Sequence, residues 1–270
     1  MNLEQRVVFI GAGNMAEALV KGLRASGLPA ENIRVTDVRT ERLEYFRATF
    51  GVGGSLDNAL AVQGANLIVL AVKPQQFTAV LEELRGAAPS ALYVSIAAGV
   101  PASRIEEALG GHARVVRVMP NTPALVGAGV SAICAGTHAT DEDLALAESL
   151  LQSVGATVRV PESQMDAVTA VSGSGPAYVF RVMEAMEAAA RELGLEADVA
   201  RALVLQTVAG AGRLAVLSGR PPAALREQVT SKGGTTEAAL RVMNERDLPG
   251  IFAAAMTAAM ARARELARGS

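Results

Sequence analysis

Two short stretches of the sequence carry groups that could do chemistry. GAGNMA (11–16) has the spacing G-x-G-x-x-A. Glycines at Gly11 and Gly13 would allow a tight turn and let backbone approach a pyrophosphate, and a helix starting behind them would offer that anion free N–H groups and a positive dipole end. VTSKGGTTEAAL (229–240) places four hydroxyls, on Thr230, Ser231, Thr235 and Thr236, around the adjacent Gly233 and Gly234. Paired glycines can turn N–H groups toward one point, and threonines are good cap residues, so this corner reads as a carboxylate or phosphate pocket at a helix N-terminus. A plain capped helix would account for one threonine and one glycine, not for four hydroxyls.

Each stretch needs elements to position it. RVVFI (6–10) reads as the strand before GAGNMA, and Met15, Leu19, Gly22 and Leu23 recur on one face of a helix that stops near Ser26-Gly27. IRVTD (33–37), LIVLAV (67–72), LYVSI (92–96) and RVVRVM (114–119) are further strands. Several are apolar at nearly every position, as in a parallel sheet covered on both faces. The expectation is an α/β chain whose residues 1–160 form a doubly wound dinucleotide-binding domain.

Asp37, at the end of the second strand, would accept hydrogen bonds from the adenosine ribose and favour NAD, whereas Arg39 and Arg42 could pair with a 2′-phosphate. The coenzyme is therefore NADPH or NADH. AVKPQ (71–75) brings Ala71, Lys73 and Pro74 to the carboxyl edge of the sheet, where such sheets bind ligands. In MPNTP (119–123) the prolines hold Met119 and Thr122 extended and present Asn121 rigidly, as a floor for a nicotinamide ring. The coenzyme candidates are thus Gly11, Ala12, Gly13, Asn14, Met15, Asp37, Arg39, Asn58, Ala71, Lys73, Pro74, Met119 and Asn121.

After about Pro161 only helical patterns remain, which predicts an all-α domain over 161–270. Val179, Val182, Met183, Met186, Ala190 and Leu193 make one apolar face, ended by Gly194; a second helix spans about 197–217, a short helix follows Pro221-Pro222, another resumes around 236–243 with Ala239, Leu240 and Met243 on its apolar face, and an alanine-rich helix comes last. Helices apolar on more than one face in so small a domain point to a second subunit. The stretch 202–217 contains Gln206 and Arg213, is too short for a membrane span, and reads as a helix buried on most sides. Gly269-Ser270 reads as a frayed end.

Composition narrows the partners. The 270 residues carry 25 Lys and Arg against 27 Asp and Glu, a formal charge of −2 that gives no footprint for nucleic acid or an acidic membrane. Small molecules and other subunits are the expected partners. The single cysteine, Cys134, has no mate for an internal disulfide, and no apolar leader opens the sequence, so a cytoplasmic protein is expected. His112 and His138 have no Cys, Asp or Glu cluster at metal spacing, so no metal is expected and both read as solvated loop histidines.

VTSKGGTTEAALRVMN resembles the C-terminal signature of the pyrroline-5-carboxylate reductase family, and FIGAGNMAEAL, AVKPQ, RVMPNTPALVGAG and AVSGSGPAYVF occur in the family's order across nearly the whole chain. The resemblance implies a Rossmann-type N-terminal domain and an all-α C-terminal dimerisation domain that interleaves with its twofold mate, commonly in decamers built as pentamers of dimers. It implies an oxidoreductase of proline biosynthesis, in which hydride from NAD(P)H reduces the C=N carbon of 1-pyrroline-5-carboxylate to give L-proline. Thr236 matches the imine-facing threonine. The substrate carboxylate would sit on Ser231 and the N–H groups of Gly234, Thr235 and Thr236, with Ser174 bordering the pocket; the second domain's share of each pocket would come from the partner subunit. One departure is Lys232, where many relatives have proline. A hydroxyacid dehydrogenase is the nearest rival, but the helix after Pro176 offers Arg181 and Glu184 and no catalytic lysine.

Overall fold

The computed structural model describes residues 5–269; residues 1–4, where the sequence reading found no apolar leader, and Ser270 of the expected frayed end lie outside the described residues. Eight strands form one sheet: β1 (Val7–Ile10), β2 (Ile33–Thr36), β3 (Gly53–Ser55), β4 (Leu67–Leu70), β5 (Leu92–Ser95), β6 (Arg114–Met119), β7 (Gly129–Ala135) and β8 (Gly155–Arg159). Their order is β3-β2-β1-β4-β5-β6-β7-β8. The sheet is flanked by α1 (Asn14–Ala25), α2 (Thr40–Phe50), α3 (Asn58–Ala61), α4 (Phe77–Leu84), α5 (Ala102–Ala108), α6 (Asp141–Leu151) and the single turn α7 (Met165–Val168).

Strands β1, β4 and β5 are buried at every residue, because side chains alternate across a strand and both faces are covered. Val7 and Phe9 enter one core with Leu19 and Leu23 of α1, Phe46 of α2 and Leu150 of α6. Val8 and Ile10 enter the other with Phe77 and Leu81 of α4 and Ile105 of α5. The five strands expected from apolar runs are present, the first ones a residue or two shorter than their runs.

Three strands did not show in the sequence. β3 is two glycines and a serine at the sheet edge, with no apolar signal to read. β7 pairs antiparallel with β6, since the connection 120–128 is shorter than the dozen or so residues that a parallel crossover needs. β8 then pairs parallel with β7 as the other edge. Cys134 lies buried on β7, and burial pushes its thiol up to about 12, leaving it neutral and unreactive. His112 and His138 are exposed as expected, but their rings stand only 5.7 Å apart.

The remaining helices are α8 (Gly175–Glu192), α9 (Ala197–Ser218), α10 (Pro222–Gln228), α11 (Thr235–Glu245) and α12 (Leu248–Gly269). The chain divides into two compact units, Met1–Ser174 with Ala258–Ser270, and Gly175–Thr257. Within the first, Ala263 of α12 is buried and Arg264 lies 3.8 Å from Asp166. In the second, α9 corrects an expectation: it is not buried on most sides. Only Ala200 and Val204 are buried, while Leu203, Leu214 and Val216 stand exposed. By length and composition alone this helix could cross a membrane. Its bare apolar faces are what a helix shows when the surface that covers it belongs to another molecule.

Candidate active site

The turn after β1 and the loops after β2 and β4 enclose a cleft of about 370 Å³. It lies at the carboxyl edge where the strand order reverses about β1, the place where open α/β sheets take their ligands. Gly11 turns there at φ 102°. A Cβ on it would stand 2.8 Å from the Ala71 carbonyl oxygen, so only glycine lets β1 and β4 end side by side. Gly13 is the extended N-cap of α1 and has no side-chain cap bond. A Cβ on Gly13 would meet nothing within 4 Å, and with Glu17 N–H on Gly13 O as the first helical bond, the N–H groups of Asn14, Met15 and Ala16 have no partner among the described residues. A glycine turn over an unpartnered helix start fits a dinucleotide pyrophosphate.

Gly11, Gly13, Asp37, Arg39, Asn58, Ala71 and Lys73 all line this cleft. Ala12 is buried behind it, Asn14 is the exposed first residue of α1, and Met15 packs on the core. Of Pro74 only the backbone is described, as the start of a 3-10 turn. The Asn121 side chain is held at both ends of its amide: it accepts from Val130 N–H at 2.9 Å and donates to Ser172 O at 3.3 Å. Met119 lies under Gly173, where an added Cβ would collide with the Met119 methyl.

The carboxylate of Asp37 is already engaged. It accepts from Ala12 N–H at 3.0 Å, from Arg39 N–H at 3.0 Å, and from Arg39 Nε and Nη2 at 2.9 and 3.1 Å. Asp37 thus fastens the glycine turn to the loop after β2, and Arg39 neutralises it. Arg42, considered for a phosphate, is spent as well, on Ala12 O and Glu17 at 2.8 Å each. Asn58 accepts from Thr36 Oγ1 at 2.6 Å and donates to Glu83 at 2.7 Å. The sequence did not single out Val38 and Leu56, which line the cleft as bare side chains, 81% and 65% exposed. An exposed valine or leucine has no periodic signature, and Leu56 follows the unseen β3.

Burial would raise the pKa of Asp37, but the Arg39 guanidinium and the Ala12 and Arg39 N–H groups outweigh it and hold the carboxyl below its ordinary 3.8. A depressed folded-state pKa adds stability above the unfolded value and loses it as pH falls through the folded one. The stability gap between wild type and Asp37→Asn, from urea unfolding, is expected to be full above pH 3.8 and to close below it. A gap that does not change with pH would remove the ion pair as its cause.

The second candidate stands at the start of α11. Gly234 is its N-cap, and no side chain caps the helix, so the capping expected of Thr235 and Thr236 does not occur. Ala238 N–H donates to Gly234 O at 3.2 Å as the first helical bond, which leaves the N–H groups of Thr235, Thr236 and Glu237 without a partner among the described residues. Thr230 spends its hydroxyl on Arg226 O at 2.6 Å. The hydroxyls of Ser231, Thr235 and Thr236 are bonded to nothing among the described residues. Gly234 N–H is not available, because it donates to Ser231 O at 3.0 Å. A Cβ on Gly234 would sit 2.5 Å from Ser231 Oγ, so glycine is what lets that hydroxyl lie against the turn. Lys232 is exposed and makes no ion pair among the described residues; nothing in the structure explains it. Ser174 ends the first of the two segments of the first unit, its N–H donating to Thr169 O at 2.8 Å to close the wide helical turn Thr169–Gly173.

Comparison with known proteins is consistent over nearly the whole chain. Residues 162–266 match the family described as pyrroline-5-carboxylate reductase dimerisation, and residues 6–99 match the family described as NADP oxidoreductase, coenzyme F420-dependent. The chain is 45% identical over 264 residues to a pyrroline-5-carboxylate reductase of Pseudomonas aeruginosa, covering 97% of each chain. It is 43% identical to one of Methanosarcina acetivorans, covering 98% of each. Among solved structures, a pyrroline-5-carboxylate reductase from Coxiella burnetii superposes with a TM-score of 0.94 at 42% identity, over 97% of this chain and 98% of that one. A Plasmodium falciparum pyrroline carboxylate reductase with NADP bound gives 0.86 at 28% identity, over 98% of both.

Proposed function

The chain belongs to the pyrroline-5-carboxylate reductase family, and on that premise we propose that the Gly11–Gly13 turn holds the coenzyme and the Ser231–Thr236 corner holds the imine. The enzyme reduces 1-pyrroline-5-carboxylate to L-proline with NAD(P)H. The observation that carries the assignment of the substrate is the start of α11, whose N–H groups and hydroxyls have no partner among the described residues. A carboxylate there gains hydrogen bonds that the helix itself cannot make, and it meets the positive end of the dipole. The Thr235 and Thr236 N–H groups and the Ser231 hydroxyl take the carboxylate, and Gly234 contributes by lacking a side chain.

The Thr236 hydroxyl oxygen then accepts a hydrogen bond from the protonated ring nitrogen. An imine that arrives protonated already carries its electrophilic activation, so these residues position and no histidine acid is needed. The bound dihydronicotinamide supplies the hydride. In the coenzyme cleft, Gly11, Gly13 and the first N–H groups of α1 hold the pyrophosphate. Asp37 and Arg39 border the adenosine ribose, with Asn58, Ala71 and Lys73 along the wall and Val38 and Leu56 at its apolar rim. We assign Ala12, Asn14, Met15, Pro74, Met119 and Asn121 to shaping the loops that carry this cleft, and Ser174 to the border of the substrate pocket.

Residues 1–160 are proposed as the coenzyme domain and 161–270 as the dimerisation and substrate domain. The homodimer follows from the dimerisation region at 162–266, and a partner's helices are the natural cover for the bare faces of α9. We propose further that dimers assemble as pentamers of dimers. A buried, neutral Cys134 supports residence in the reducing cytoplasm.

The test is coenzyme oxidation by the purified oligomer, with NADPH and NADH side by side. Absorbance at the dihydronicotinamide band is expected to fall only when pyrroline-5-carboxylate is present, and L-proline should accumulate in step. No turnover with either coenzyme would sink the assignment.

A further inference from the structure

We infer that Glu237 is a positioning residue for the imine, acting through the N–H of Gly233. The inference rests on the proposed substrate role of the Ser231–Thr236 corner and adds a residue that no motif singles out. Glu237 is the third residue of α11, and its Oε2 accepts from Gly233 N–H at 2.7 Å. In a capping box the third-residue carboxylate bonds the N-cap amide. Here the N-cap amide, on Gly234, is already given to Ser231 O, so the carboxylate reaches one residue further back.

The consequence runs through backbone. Gly233 stands at φ 73°, and two consecutive glycines have more conformations to lose than any other pair. The bond from Glu237 holds Gly233 in its turn. The turn in turn sets Ser231 O against Gly234 N–H at 3.0 Å and Ser231 Oγ within 2.5 Å of where a Gly234 Cβ would stand. Both the Ser231 hydroxyl and the direction of the helix N–H groups are therefore fixed before a carboxylate arrives. Without the tie, binding must supply that order itself. Because Thr236 lies inside the helix, the geometry at the ring nitrogen depends much less on the tie.

The test is steady-state kinetics of Glu237→Ala, Glu237→Asp and Glu237→Gln in the assembled enzyme. Glu237→Ala is expected to raise KM for pyrroline-5-carboxylate about tenfold, the worth of one hydrogen bond to a charged group, with kcat and the coenzyme KM unchanged. Glu237→Asp keeps the charge but falls one methylene short, so it should behave as the alanine variant does. Glu237→Gln keeps both reach and an acceptor oxygen and should recover most of the substrate affinity. An unchanged imine KM in Glu237→Ala overturns the inference, as does a glutamine variant no better than alanine or a coenzyme KM that rises in parallel. If Glu237→Ala does not assemble, the contrast between aspartate and glutamine decides alone. A wild-type enzyme that does not turn over the imine marks failure of the parent reading instead.

Discussion

Thr236→Val is expected to lower kcat/KM for pyrroline-5-carboxylate by roughly ten- to a hundredfold while leaving the coenzyme KM where it was. Valine keeps the shape of threonine and deletes only the hydroxyl. In the folded chain that hydroxyl caps nothing and bonds nothing among the described residues, so its removal leaves no broken structural contact. The cost falls on the substrate. A hydroxyl bonded to a charged iminium nitrogen is worth about 1.5–3 kcal/mol, and each 1.4 kcal/mol or so is tenfold in rate or affinity. Steady-state kinetics with a thermal melt as control separates the outcomes. Unchanged kinetics would take Thr236 out of the mechanism, and a lowered melt would mean that the side chain serves the fold.

The second large effect is at Gly11. Gly11→Ala would place its methyl 2.8 Å from the Ala71 carbonyl oxygen and 2.9 Å from its carbon, at a φ of 102°. Neither side can retreat. Gly11 N–H is held by Thr36 O at 2.9 Å, and Ala71 N–H by Ile10 O at 2.8 Å. Strain at such a φ and forced overpacking each cost about 1–3 kcal/mol, so the variant should lose several kcal/mol of stability and most of its coenzyme affinity. Gly13→Ala is the informative contrast, because its methyl meets nothing within 4 Å. That variant should fold as wild type yet bind coenzyme poorly, because the methyl would fill the open space in which the pyrophosphate is proposed to sit. Chemical denaturation and coenzyme titration of the two variants test the pair. Equal stability losses would mean that the open space at Gly13 serves the fold after all.

Much of this was legible in the sequence because it obeys short-range rules. The β1-turn-α1 unit announces itself by apolar run, glycine spacing and helical face together, and the corner at Gly233-Gly234 by a surplus of hydroxyls. What stayed hidden depends on long-range pairing. β3 is Gly-Gly-Ser, a strand only because β2 lies beside it. The antiparallel turn into β7 is decided by the shortness of its connection, not by any residue in it. Nothing in the spacing of Asp37 and Arg39 reveals that each would occupy the other, or that Arg42 would reach across to Ala12 and Glu17. For α9, composition gave the apolar surface but not its cover. A single chain encodes what a helix must hide, and only the assembly decides where.

The first unit includes residues 258–270, with Ala263 buried and Arg264 beside Asp166. A ribosome makes residues 175–257 between the two parts. The nascent sheet can therefore form early but must wait, lacking its last piece, until the helices of the second unit have been synthesised. The order of translation thus places completion of the first unit after the emergence of the whole of the second.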